Sequence, residues 1–101
     1  METQPALSES ELMRQLTRDG LYVTRWSNGP HAVYGAHEHP YGKVLVVISG
    51  SITLTIERPT RVVQMRAGDR LNLTPHIPHS AVVGPDGVVC LEAHVPLQHT
   101  L

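Results

Sequence analysis

The apolar positions of the chain follow a helical spacing near its start and a strand-like spacing afterwards. Leu12 and Leu16 repeat at i and i+4, and Ser8 with Glu11 three residues later matches a capping box. This pattern predicts one short helix over about residues 9–18 that lies against the rest of the domain.

From residue 21 onward, short β-rich runs alternate with clusters of turn residues. The runs are LYVTRW, HAVYGAHEH, KVLVVI, SITLTIE, RVVQM, RLNLT, HSAVV and VVCLEAHV. About eight closely spaced strands without a second helix predict an all-β sandwich or barrel rather than a β-α-β fold. We therefore divide the chain into an N-terminal tail with a short helix at 1–20, a barrel at 21–96 and a C-terminal tail at 97–101.

Two adjacent runs in the middle of the chain differ in how their faces are covered. In SITLTIE, the apolar residues Ile52, Leu54 and Ile56 alternate with polar ones, so one face is predicted to be buried and the other wet. The run VLVVI does not alternate, which indicates that both of its faces are covered. One set of these side chains can point into the barrel, and the other needs cover from a second sheet, the N-terminal helix or another subunit. One short helix offers limited cover. We therefore expect a homodimer.

Composition and charge narrow the classes of partner. Lys and Arg number 8 against 9 for Asp and Glu, so the chain lacks the basic surplus that binds nucleic acid or anionic lipid. Its longest apolar stretch, Val44 to Ile48, is too short to span a bilayer. A single cysteine, Cys90, fits a reducing compartment and a small buried apolar role. We expect a soluble cytoplasmic protein without nucleic-acid or membrane partners.

Histidine is unusually frequent, with 7 residues, and four of them form the tight groups His37/His39 and His76/His79. On a strand, His37 and His39 leave the same face with Cα atoms about 6.5 Å apart, from where two imidazoles can reach one ion. An isolated H-x-H is equally compatible with a structural or accidental pair. His79 follows the proline-rich turn TPHIP, which suits a rigid ligand site or a plain barrel corner.

The stretches GAHEHPYGKVLVVISG and AGDRLNLTPHIPH resemble the two linked motifs of the cupin family. The first contains the H-x-H pair and the glycine at Gly50, and the second ends on His79. The resemblance extends from about residue 26 to residue 95. It implies a cupin jelly-roll β-barrel, preceded here by one short N-terminal helix, with one divalent metal held by His37, His39 and His79. Iron, manganese, nickel, copper and zinc all suit imidazole ligands.

The chain departs from the cupin pattern at Lys43, which stands where the family usually has a glutamate ligand. A cation beside a divalent ion must lose its proton or turn its head into solvent, and we expect the second. His76 replaces a glycine of the second motif. It could act as a fourth ligand or as an acid or base at the mouth, although its exposed turn favours a solvated side chain.

Other side chains allow both a functional and an ordinary interpretation. Glu92 and His94 could add an inward polar pair, but satisfied polar groups on a strand are the simpler reading. Arg25 could bind a substrate carboxylate, and a surface cation is the simpler reading. The aromatic residues could line a substrate pocket or pack the barrel ends: Tyr22, Trp26, Tyr34 and Tyr41.

Together these features favour a metal-binding small cupin that acts on or binds a small organic molecule. The metal would serve as a Lewis acid or oxygen activator, and a dioxygenase-type enzyme is the first class to test, by resemblance alone. Three neutral ligands favour an anionic or chelating substrate. The alternative is a non-catalytic ligand-binding or sensor module.

Overall fold

The computed structural model describes residues 8–95, and the predicted C-terminal tail at 97–101 lies outside this range, as do residues 1–7. One helix and six strands form in chain order: α1 (Glu9–Arg18), β1 (Val23–Asn28), β2 (Val33–His37), β3 (Gly42–Ile56), β4 (Arg61–Arg66), β5 (Arg70–Leu73) and β6 (His79–Val95). All strand pairs are antiparallel. The predicted all-β class with one short helix is confirmed. No helix within residues 8–95 is long and apolar enough to cross a membrane.

The expectation of about eight strands is wrong because two pairs of predicted runs are continuous. KVLVVI and SITLTIE join into β3, and HSAVV and VVCLEAHV join into β6. Gly50 and Gly87 have positive φ angles of 75° and 77° at the bends. The β3–β6 register shifts beside Gly50, so the two strands bend without losing their pairing.

The two long strands contribute to two packed layers because each pairs with different neighbours along its length. The helix-covered layer consists of β1, residues 88–95 of β6, residues 42–50 of β3, and β5. The solvent-facing layer consists of β2, residues 79–83 of β6, residues 51–56 of β3, and β4. The sheet therefore closes on itself as a small barrel.

The main core fills the space between the two layers. Ile52, Leu54 and Ile56 are at most 3% exposed, which confirms the buried face that the alternation predicts. Cys90 is also in this core, and burial raises the pKa of its thiol to about 12. The predicted inert, apolar role of Cys90 agrees with this position.

Helix α1 covers the outer face of the helix-covered layer. The Ser8 Oγ accepts a hydrogen bond from the Glu11 amide at 3.2 Å, which caps the predicted helix. Leu12 and Leu16 belong to a second apolar cluster with Val44 and Val46, both 1% exposed. Of the covers that the sequence leaves open for this strand face, the chain's own helix is therefore the one present, and the face gives no support to a second subunit. The homodimer itself stays a prediction.

Candidate metal centre

Three histidines meet at the end of the barrel where β2 ends and β6 begins. His37 is the last residue of β2 and is the register partner of His79, the first residue of β6. His39 lies beyond the end of β2 rather than on the strand, but its ring still turns toward the other two. One ring nitrogen of each histidine lies within 4.8 Å of the others. These three nitrogens could therefore reach a common metal ion.

Backbone groups fix the orientation of the histidine rings. The Nδ1 of His37 lies 2.7 Å from the Gly35 carbonyl, and the Nδ1 of His79 lies 2.9 Å from the Ile77 carbonyl. Because a carbonyl only accepts, each Nδ1 carries the proton, and the Nε2 lone pair is left for a metal. His39 is held differently, since its ring stacks on Tyr41 with centroids 4.9 Å apart.

The surroundings of His39 and His79 favour their neutral form. Burial lowers the pKa of His39 below 6.5, and the charges of Lys43 and the other two histidines act in the same direction. Burial also lowers the pKa of His79, although its contact with the Ile77 carbonyl opposes the shift. Neutral imidazole is the form that binds metals, so the residues present fit a divalent transition metal.

The histidines lie at the edge of a cavity between the two layers, with a volume of about 370 Å³. This volume is near the lower end of the range for small-molecule sites, about 300–1,000 Å³. Apolar side chains from both layers form most of the wall: Leu45, Ile52, Leu54, Leu73 and Ala81. Trp26 and Tyr34 also line the cavity, so two of the four predicted aromatic candidates belong to it, whereas Tyr22 is 84% exposed.

Comparison with known proteins identifies the fold. The chain matches a DMSP lyase structure with a TM-score of 0.70 and 25% identity over 76% of its length. It matches a double-stranded β-helix protein from Klebsiella pneumoniae with a TM-score of 0.63 and 26% identity, over 77% of this chain and 69% of the other. It also matches Bacillus subtilis oxalate decarboxylase, which has Mn(II) centres, with a TM-score of 0.70 and 20% identity over 79% of its length.

The chain folds as a cupin. It spans 39% of the DMSP lyase chain and 22% of the oxalate decarboxylase chain, so these likenesses concern the barrel and not the whole proteins. No family model and no curated protein sequence matches the chain.

In this cupin, Lys43 points into the cavity. Its side chain is 14% exposed, and its Nζ lies 3.2 Å from the Glu92 Oε1 and 3.5 Å from the Nε2 of His39. The expectation that the Lys43 head turns into solvent is therefore wrong. Lys43 and Glu92 lie on inward-facing positions of neighbouring strands, and their ion pair stabilises the ammonium inside the barrel.

Glu92 lines the cavity of this cupin, so the inward position, rather than the simpler interpretation, holds for this residue. Its Oε1 also accepts a hydrogen bond from the Trp26 Nε1 at 3.2 Å, and its Oε2 lies 3.2 Å from the His94 Nε2. Its side chain is 17% exposed, whereas that of His94 is 52% exposed at the rim. The carboxylate is thus fixed by three neighbours.

Two other candidates lie outside the cavity. The side chain of His76 is exposed, in agreement with the favoured solvated position, and the structure does not bring it into the histidine cluster. Its backbone amide instead donates a hydrogen bond to the His39 carbonyl at 2.7 Å. This bond joins the proline-rich turn to the segment that follows β2 and carries His39. Arg25 pairs with Glu9 of α1 at 3.0 Å on the surface, as its simpler reading predicts.

Proposed function

We propose that the chain binds one divalent transition metal through His37, His39 and His79, and that the loaded cavity binds or transforms a small organic molecule. The observation that carries the proposal is the convergence of one ring nitrogen from each of three histidines, within 4.8 Å of one another, at the wall of a cavity. Iron, manganese, nickel, copper and zinc remain the candidate ions, since imidazole suits all of them.

The chain's own residues support this function by position and charge. The carbonyls of Gly35 and Ile77 hold two of the imidazoles in the required tautomer, and Tyr41 supports the third. The apolar wall of the cavity limits the access of water to a bound molecule. A bound ion would supply Lewis-acid or oxygen-activating chemistry, and a dioxygenase-type reaction is the first enzyme activity to test.

Metal analysis of protein purified without a histidine tag or chelator tests the proposal. We expect close to one divalent ion per chain, and recovery of that ion when the metal-free protein is titrated by calorimetry. The double variant His37→Ala/His39→Ala should lose this binding and keep its β signal in circular dichroism. Metal that is substoichiometric in both measurements contradicts the proposal.

A matched control uses a histidine outside the cluster. His31 is exposed and has a φ of 63°, a conformation that asparagine tolerates well. The variant His31→Asn should therefore fold and bind metal like the wild type. Equal loss of binding in this variant and in the double variant would show that the three clustered histidines are not the ligands.

A further inference from the structure

We infer that Lys43 is the residue that selects the ligand of the cavity, and that this ligand is a small monocarboxylate with an apolar body. The carboxylate would accept a hydrogen bond from the Lys43 ammonium beside the metal, and the body would pack between the two layers. This inference rests on the proposed function, because it assumes a metal at the three histidines.

The Lys43 ammonium has more N–H donors than the described part of the protein provides acceptors for. The group has three N–H bonds, and its protein acceptors within the cavity are the Glu92 Oε1 at 3.2 Å and the His39 Nε2 at 3.5 Å. A metal that binds His39 through its Nε2 takes the lone pair that this second contact uses. Metal loading therefore leaves Lys43 with a free donor that faces the cavity beside the ion.

The cavity wall carries one positive and one negative side chain. Among the described residues that line the cavity, Lys43 is the one cation and Glu92 is the one carboxylate. Their charges offset each other, and a histidine bound to a metal is neutral, so the charge of a divalent ion remains uncompensated. A single anionic group on the ligand reduces this excess, and it finds in Lys43 a donor for a charge-assisted hydrogen bond.

The rest of the cavity wall is mostly apolar. Trp26 and the leucine, isoleucine and alanine side chains named above provide a mostly apolar surface, and the cavity holds about 370 Å³. Burial of an apolar group there is favourable, whereas a charged group lying against this part of the wall, away from Lys43 and the histidines, would meet no partner. A compact molecule with one carboxylate and one apolar body matches this arrangement.

Binding of matched probes to the zinc-loaded protein tests the inference, with zinc affinity measured first. We expect phenylacetate to bind more tightly than the neutral phenylacetamide and than acetate, which lacks the apolar body, each by about tenfold or more. Comparable binding of phenylacetate and phenylacetamide to zinc-loaded wild-type protein overturns the inference. Failure to bind zinc and each of the other candidate ions instead overturns the proposed function.

Two variants separate direct contact from a simple change in charge. Lys43→Met should weaken phenylacetate binding by about tenfold or more, although it should bind zinc at least as tightly as the wild type because it lacks the ammonium that repels the ion. It also leaves Glu92 without its cation, which could repel the probe. The double variant Lys43→Met/Glu92→Gln removes both charges, so its net charge equals that of the wild type. We expect it to bind phenylacetate as weakly as the single variant.

Recovery of wild-type phenylacetate affinity in the double variant would show that Lys43 merely neutralises Glu92, and it would overturn the inference. Circular dichroism and zinc titration check that both variants are folded. If either fails to fold, the comparison of phenylacetate with phenylacetamide on the wild-type protein still decides the question.

Discussion

At the scale of single residues, Lys43 is the feature that most changes the chemistry of the histidine cluster. Its ammonium lies beside the Nε2 of His39, where the cupin motif usually has a glutamate. A positive charge at this distance opposes metal binding, and its partner Glu92 offsets only part of that repulsion. The metal affinity of the wild-type chain is therefore expected to be lower than the three histidines alone would give.

Reversing this charge should tighten metal binding. Two unit charges about 4 Å apart at an effective dielectric near 20 interact by roughly 4 kcal/mol. Because Glu92 already offsets part of the repulsion between Lys43 and the ion, we expect Lys43→Glu to improve the free energy of metal binding by about 1–3 kcal/mol. This corresponds to about tenfold to a hundredfold in affinity. The gain should be largest for manganese, since an oxygen ligand joins three nitrogens.

Calorimetric titration of the metal-free proteins with manganese, nickel and zinc measures this effect. Lys43→Met serves as the control, because it removes the ammonium without adding a ligand, and its gain should be smaller. Equal or weaker metal binding by a folded Lys43→Glu variant would mean that the ion does not bind beside Lys43.

The sequence predicts the three histidines but does not determine which way the polar side chains of Lys43 and Glu92 point. The histidine spacing and the two motifs suffice to bring His37, His39 and His79 together. The position of Glu92 follows from its register with Leu45 across β3 and β6. The surrounding run VVCLEAHV is buried on both faces, so its alternation does not distinguish inward from outward positions. Because the sequence does not place Glu92 on the inward face, it does not show which group holds the Lys43 ammonium inside the barrel.

At the scale of elements, the long strands β3 and β6 determine how the layers face each other. The sequence shows the runs that build them, but glycine-rich breaks such as SG and GPDG look the same whether a chain turns back or only bends. The pairing across β3 and β6 continues past both breaks. Turn signals alone therefore overestimate the number of strands.

The bend at Gly50 should be intolerant of any side chain. A Cβ at this position would lie 1.9 Å from the Gly87 carbonyl oxygen, and the φ of 75° is itself unfavourable for other residues. We expect Gly50→Ala to lower the free energy of unfolding by about 2 kcal/mol or more, since strain and displaced backbone add. Urea unfolding followed by circular dichroism measures the change.

Gly29→Ala is the matched control, because a Cβ there meets no atom within 4 Å. Its unfolding midpoint should stay close to that of the wild type. A Gly50→Ala variant as stable as Gly29→Ala would contradict the close approach of β3 and β6 at this bend.

At the scale of the whole molecule, the predicted homodimer needs a surface other than the one that α1 covers. The outer face of the solvent-facing layer exposes Val33, Val62 and Val82, and Val33 is the register partner of Val82. We expect the dimer to bury this face, because it is the apolar sheet surface that the described part of the chain leaves open.

Light scattering during size-exclusion chromatography measures the oligomeric state. The wild type should elute as a dimer at micromolar concentrations, and Val82→Lys should shift it toward the monomer, because a charge in a buried apolar contact is unfavourable. Tyr22→Lys changes an exposed residue that directly precedes β1 in the chain, and it should leave the dimer intact. A wild-type monomer at high micromolar concentration would contradict the homodimer.

Stability of the whole metal-free protein should fall in mild acid. Burial lowers the pKa of His39 and His79 in the folded chain, whereas in the unfolded chain they bind protons near the ordinary value of 6.5. At a pH between the lowered pKa of the folded chain and the pKa of the unfolded chain, the unfolded state binds more protons than the folded state. The free energy of unfolding therefore decreases as the pH falls from 6.5 through the lowered folded values, and it levels off below them.

Urea unfolding at about pH 8 and about pH 5, with a chelator present, measures this difference. The urea midpoint of the wild type should be lower at the acidic pH. The double variant His39→Gln/His79→Gln should lose less stability between the two pH values, because it lacks the two imidazoles that resist protonation in the folded state. His31→Asn, which changes an exposed histidine, should keep the full wild-type difference. If the double variant and the wild type show the same acid loss, other groups cause it. Added zinc should steepen the wild-type dependence, because protons compete with the ion for the same imidazole nitrogens.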